Sequence, residues 1–160
     1  MSALSAFSRH DHAGCVAEAM RVAEARCAAQ KLQFTPLRRR VLELLLESHR
    51  ALGAYDVLAR LDAEGLGSQP PVAYRALGFL VDHGLAHKIE RLNAFVACAH
   101  PDAPHEPAFM ICRSCRKVAE AETPAPLADA QASGFMIERT VIEAEGLCAG
   151  CQQPAGEGER

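Results

Sequence analysis

Tryptophan is absent from the 160-residue chain, and aromatic residues make up only 5% of it. Any core must therefore be built from aliphatic side chains. Long apolar runs are missing too. No stretch approaches about 18 consecutive apolar residues, and residues 1–20 carry no apolar run behind a basic start. Neither a membrane span nor a secretory signal is expected, and the chain reads as cytoplasmic. A basic excess is also lacking: the formal net charge is −3, which argues against a uniformly basic nucleic-acid coat. No HExxH motif and no nucleophile–base pair is visible, so a non-enzyme is expected. A zinc/thiol redox enzyme or zinc hydrolase remains an alternative from a different class, and a metal store that binds no DNA remains another.

Hydrophobic residues make up 49% of the chain, enough for a packed core. Charge is unevenly spread: the chain is slightly basic up to Ala94 and acidic from Phe95 onward. A mildly basic first half could approach phosphate while the acidic half faces away. Seven cysteines in a chain without an export signal are expected to stay reduced. Reduced cysteines in pairs point to metal or redox chemistry.

Residues 1–12 read as a loose start, and Ala13 to Gln30, rich in Ala, Glu and Arg, as a helix. Thr35-Pro36 marks a helix entrance, since Thr caps and Pro suits the first turn. Val41, Leu42, Leu44, Leu45 and Leu46 continue that helix as a broad apolar face up to Ser48. Tyr55 to Glu64 reads as a short helix, and Gly65, Gly67 and Pro70-Pro71 as a turn-rich connector. A fourth helix is expected from Val72 to His83. Leu85 to Ile89 and Ala94 to Cys98 then form a hairpin around a polar turn. Three helices followed by a hairpin make a winged helix-turn-helix, in which Val72 to His83 would enter the major groove. Beyond it, Phe109 to Cys112, Lys117 to Ala121 and the longer run Phe135 to Ala144 read as strands, and Pro124 to Ser133 as a helix.

Cys112-Arg113-Ser114-Cys115 and Cys148-Ala149-Gly150-Cys151 are two CxxC pairs with 32 residues between them. One CxxC turn aims two thiolates at an ion about 2.3 Å away, and two turns complete a tetrahedron. Thiolate softness favours zinc or iron. A thioredoxin-like pair would want one CxxC at a helix N-terminus after a strand, and these pairs follow strand-like runs without that helix. Cys15 and Cys27, on the first helix, read as small apolar packing residues. A second group of ligand-type residues comprises His87, Cys98, His100, Asp102, His105, Glu106 and Glu120. Mixed nitrogen, sulfur and oxygen ligands suit zinc, but spacing alone does not choose four of them.

Several stretches together resemble the ferric-uptake-regulator family, most closely its zinc-uptake-regulator branch. They are Phe34-Thr35-Pro36-Leu37-Arg38, Gly53-Ala54-Tyr55-Asp56, Tyr74-Arg75-Ala76-Leu77, His87-Lys88-Ile89-Glu90, the segment Phe109 to Cys115, and Val141 to Cys151. The similarity covers about residues 15–152. It implies a homodimer that represses zinc-uptake genes by binding double-stranded operator DNA when loaded with two Zn2+ per subunit. The implied structural ligands are Cys112, Cys115, Cys148 and Cys151, and the implied regulatory ligands are His87, Cys98, His105 and Glu120. Tyr55 and Arg75 match positions that the family uses at DNA bases. Tyr74 beside Arg75 is expected at DNA as well, and Arg38 to Arg40 are expected to include phosphate contacts, Arg38 foremost, with a solvated helix face as the alternative. The implied fold is α+β: an N-terminal winged helix-turn-helix domain (13–92), a hinge (93–99), a C-terminal α/β dimerisation and metal-binding domain (100–152) with its four-cysteine zinc site, and a disordered tail (153–160). Iron, manganese or peroxide sensing is the alternative within the family. Val72 departs from the pattern, standing where the family usually has Ser or Thr, so a hydroxyl that could cap the helix or hold a phosphate is missing.

Overall fold

In the computed structural model, which describes residues 5–122 and 128–152, the chain divides into two units. One is His10–His105; the other combines the described residues up to Arg9 with those from Glu106 onward.

The first unit is built from four helices and a hairpin. Helix α1 spans His12–Ala29, and the Asp11 side chain caps it by accepting from the Gly14 N–H at 3.2 Å. Helix α2 spans Pro36–Leu46; the Thr35 hydroxyl accepts from the Arg38 N–H at 3.3 Å and Pro36 occupies the first turn. Helix α3 spans Ala54–Ala63, where the Asp56 carboxylate reaches back to the Gly53 N–H at 3.1 Å. Helix α4 spans Pro70–Asp82 and starts two residues earlier than the sequence suggests. Pro70 and Pro71 form its first turn rather than a connector, because a helix's first N–H groups need no intrahelical partner. The loose start expected for residues 1–12 also gives way in part: Ser5–Phe7 forms a 3-10 turn and α1 already begins at His12.

The apolar faces meet in one aliphatic core. Val41, Leu44, Leu45, Val57, Leu61, Leu77, Leu80 and Leu85 are buried there, joined by Met20, Ala23 and Cys27 of α1. Each fully buried Leu or Val contributes about 1.5–3 kcal/mol. Strands β1 (Ala86–Ile89) and β2 (Ala94–Ala97) pair antiparallel, with His87 opposite Val96 and Ile89 opposite Ala94. Leu52 adds a bridge to Phe95, which ties the hairpin to the segment leading into α3.

In the second unit, β3 (Pro107–Cys112) lies between β4 (Val118–Glu122) and β5 (Ile142–Gly146). It pairs antiparallel with β4 and parallel with β5. A short helix, α5 (Ala128–Ala132), lies between β4 and β5 in sequence. The helix expected over 124–133 is shorter among the described residues, and 124–127 lie outside them, as does the tail 153–160. The strand expected over 135–144 is a correction: only 142–146 pairs. Phe135 and Met136 are apolar yet 66% and 81% exposed, so their hydrophobicity does not mark a strand of this sheet.

Candidate metal centres and nucleic-acid interface

Strand register assembles the first candidate centre. Parallel pairing sets Cys112, the last residue of β3, opposite Gly146, the last of β5. Cys148 follows two residues later and precedes the 3-10 turn Ala149–Cys151. After β3 the chain turns sharply: Arg116 adopts a left-handed φ of 62° and its N–H donates to the Cys112 carbonyl at 2.9 Å. The Arg113 N–H donates to the Gly146 carbonyl at 2.9 Å and locks the two strand ends together. The sulfurs of Cys112, Cys115, Cys148 and Cys151 consequently lie within 4.8 Å of one another.

The Cys115 and Cys148 sulfurs are 3.8 Å apart, matching the edge of a zinc–thiolate tetrahedron, about 3.8 Å. The Cys148 backbone N–H points at the Cys112 sulfur from 3.4 Å. That hydrogen bond, with further backbone N–H groups from Cys115 and Ser114, holds the Cys112 thiol down at about 6. Burial and hydrogen bonds to its neighbouring sulfurs push Cys148 up to about 11. Four thiols crowded together, one already poised to lose its proton, form a donor set that fits a soft or borderline cation. All seven cysteines are thiols.

The mixed ligand set is partly gathered in the first unit. His87 lies on β1, and Cys98 follows β2, its N–H donating to the Leu85 carbonyl at 3.0 Å. His105 reaches back toward Cys98, with its Nε2 at 3.6 Å from the Cys98 sulfur. The His87 and His105 rings stand 5.4 Å apart, nearly perpendicular. His105 Nδ1 lies 2.9 Å from the Ala103 carbonyl. A carbonyl can only accept, so Nδ1 carries the proton and Nε2 keeps its lone pair toward the sulfur. A tetrahedral zinc site needs a sulfur–nitrogen separation of about 3.5 Å, which the Cys98–His105 pair already has. Glu120 belongs to the second unit, where it is buried on β4 opposite Phe109. His100 stands edge-on to His105 with centroids 6.0 Å apart, while Asp102 and Glu106 are exposed.

Among the described residues, a third group of ligand-type atoms comes together: His10, His12 and His49 lie within 4.8 Å of one another. Its signal in the sequence is the His-x-His at 10 and 12, which is easily missed because His49 lies far along the chain.

Of the residues expected at DNA, Tyr55, Tyr74 and Arg75 occupy exposed helix positions and Arg38 is half-buried. Tyr55 is 68% exposed at the start of α3, and Tyr74 and Arg75 share the solvent face of α4. Arg75 and Arg38 line one shallow groove with Thr35, Leu37, Val72 and Ala76. Arg75 is steadied by its Nε donating to the Pro71 carbonyl at 3.3 Å. Arg38 is held more firmly. Its guanidinium sits 3.9 Å over the Phe79 ring and donates to the Gln33 carbonyl at 2.5 Å. Arg39 and Arg40 are engaged with carboxylates: Arg39 pairs with Glu24 and Glu43, and Arg40 with Glu43, Glu47 and Glu64. Val72 lies within the first turn of α4, two residues beyond the start, and Gln69 at the cap makes no side-chain cap hydrogen bond.

No family model matches the chain. The "Zinc uptake regulation protein" of Escherichia coli (strain K12) is 40% identical over 139 residues, covering 84% of this chain and 81% of that protein. A solved zinc uptake regulator complexed with zinc and DNA superposes with a TM-score of 0.78 at 39% identity, covering 85% of this chain and 94% of that one. The crystal structure of holo XcZur gives a TM-score of 0.75 at 38% identity, over 82% of this chain and 95% of that one.

Proposed function

The chain belongs to the zinc uptake regulators of the ferric-uptake-regulator family, and on that premise we propose that it is a zinc-responsive transcriptional repressor, binding operator DNA as a zinc-loaded homodimer to control zinc-uptake genes in the cytoplasm. One observation carries the choice of metal: the Cys98 sulfur and the His105 Nε2 lie 3.6 Å apart, with His87 alongside. Iron, manganese and peroxide sensors would favour histidine and carboxylate ligands, whereas a thiolate tips the set toward zinc.

The two ligand sets do different work. Cys112, Cys115, Cys148 and Cys151 fasten the ends of β3 and β5 and serve as the structural site. His87, Cys98 and His105, with Glu120 joining on the sequence resemblance, serve as the regulatory site, making two Zn2+ per subunit. The domains follow the sequence boundaries 13–92 and 100–152, with the joint at 93–99. β2 occupies 94–97 and the first unit continues to His105, which favours a pivot at the end of that stretch or beyond it, between Cys98 and Glu106. Ligands drawn from both sides of the joint would restrict it when the metal is bound. Two recognition helices in a dimer must match half-sites about one helical turn, or a multiple, apart. An unrestricted joint spreads their spacing and adds an ordering cost to binding. Turning a mostly open population into a mostly closed one takes about 5.5 kcal/mol of differential metal binding.

On this reading α4 enters the major groove with Tyr74 and Arg75, Tyr55 adds a contact from α3, and Arg38 meets phosphate. The exposed Phe135, Met136 and Val141 supply an apolar face for a second copy. Zinc-titrated fluorescence anisotropy on operator DNA tests the assignment. Cys98→Ser is expected to give a folded dimer whose DNA binding no longer responds to zinc. Full zinc-dependent binding by that variant would overturn the regulatory site.

A further inference from the structure

We propose that His10, His12 and His49 form an additional binding site for a borderline divalent transition-metal ion, Zn2+, fastening the start of α1 to the connector between α2 and α3. Unlike the mixed ligand set, all three residues belong to one unit. Metal binding here is therefore independent of which metal the other sites take.

The convergence is geometric. One ligand nitrogen from each ring falls within 4.8 Å of the others, and the His10 and His49 Nε2 atoms are 3.0 Å apart. The ring centroids lie 5.6 Å apart for His10 and His12 and 4.9 Å apart for each other pair. The rings cross at 83°, 54° and 62° rather than stacking. Nitrogens held by a tetrahedral zinc ion stand about 3.3 Å apart, so small ring rotations bring all three to bonding distance.

The protonation pattern points the same way. His12 Nε2 lies 3.1 Å from the Glu47 carbonyl. The carbonyl can only accept, so Nε2 carries the proton and Nδ1 of the neutral ring carries the lone pair. That Nδ1 is buried and has no hydrogen-bond partner. An unsatisfied buried nitrogen is costly, and a cation would satisfy it. A backbone carbonyl that orients a histidine by holding its other nitrogen is the usual outer support of a metal ligand.

Local structure fixes each ligand independently. The Asp11 cap on the Gly14 N–H holds the chain between His10 and His12. His49 sits in the turn after α2, where the Ser48 hydroxyl accepts from the Arg50 N–H at 3.3 Å. Three neutral imidazoles leave the ion its full charge and an open fourth position for water. Such a set suits zinc, copper or nickel rather than calcium or magnesium. Because His49 lies in the segment that leads into α3, occupancy would also steady the approach to Tyr55.

The test is a zinc titration of the full-length chain in competition with a chromophoric chelator, comparing wild type with the double variant His12→Ala, His49→Ala. Wild type is expected to take up one more equivalent of Zn2+ per chain than the variant. Long-range imidazole NMR of wild type gives a second measurement that needs no folded variant. The His12 Nδ1 resonance is expected to shift as the added equivalent binds. Equal stoichiometry in two folded proteins overturns the proposal, as does an unmoved His12 signal up to millimolar zinc.

Discussion

Arg38 and Arg75 border the same groove but are constrained differently, and the difference predicts different roles. Among the described residues, the Arg75 guanidinium has a single tie, through Nε to Pro71, which leaves its terminal nitrogens to form a two-pronged contact with a guanine edge. Arg38 is stacked on Phe79 and hydrogen-bonded to Gln33, a posture suited to a fixed positive charge beside phosphate. Arg75→Ala is expected to lose about 1–3 kcal/mol of operator affinity and relax base preference at one position. Arg38→Ala should weaken binding evenly across sequences and lower the salt slope by about one. Anisotropy at several salt concentrations on operator and scrambled duplexes separates them; unchanged specificity in Arg75→Ala would remove it from base recognition. A second pair speaks to stability. The Arg40 hydrogen bond to Glu64 holds the Glu64 carboxyl below its ordinary 4.5. A carboxylate depressed in the folded state stabilises the fold above that ordinary value and loses the contribution as pH falls through the lower folded value. Wild type should therefore exceed Glu64→Gln in urea unfolding near neutral pH, and the gap should close in acid below 4.5. A gap that stays constant in acid would mean that this ion pair is not its source.

Helices are the readable elements, because a buried helical face repeats with the turn. Val41, Leu44 and Leu45 in α2, Val57 and Leu61 in α3, and Leu77 and Leu80 in α4 are all buried as their spacing implies. The start of α4 escapes a reading of the sequence because Pro70-Pro71 has two meanings, a turn or a first helical turn, and only the surrounding chain decides between them. Gly67 is part of that decision. Its φ of +153° belongs to glycine's territory, and an added Cβ would lie 2.8 Å from Val72 Cγ1. Gly67→Ala is thus expected to cost more than about 1 kcal/mol, read as a lower urea midpoint; an equally stable variant would show that α4 begins without this close approach. The CxxC pairs are legible because their ligands are neighbours in sequence. The triad His10, His12 and His49 is not, since its members meet only after α1 folds back beside the turn following α2. The apolar run from Phe135 fails as a strand signal for a related reason. Hydrophobicity reports that a face is to be covered, not which partner covers it, and Phe135 and Met136 stay exposed within one chain.

At the scale of the whole molecule, the two ligand sets should fail in different ways. The four thiols gather at the ends of β3 and β5, so a metal held by them would fasten the small sheet there. Cys112→Ser is therefore expected to unfold the second unit and abolish the dimer, because metal-binding free energy in a small site of this type is folding free energy. Cys98→Ser should keep both the fold and the dimer. The exposed face at Phe135 and Met136 offers an independent handle on assembly, since it lies outside both ligand sets. A Phe135→Glu, Met136→Glu double variant places charge where a second copy would have to desolvate it. Zinc uptake per chain should match wild type, while sedimentation should report monomers at micromolar concentration. Operator binding should weaken sharply, because each monomer then engages its half-site alone. A double variant that remains dimeric and binds operator DNA like wild type would place the dimer contact elsewhere, and would leave the exposed run as a surface whose partner is not a second copy of this chain.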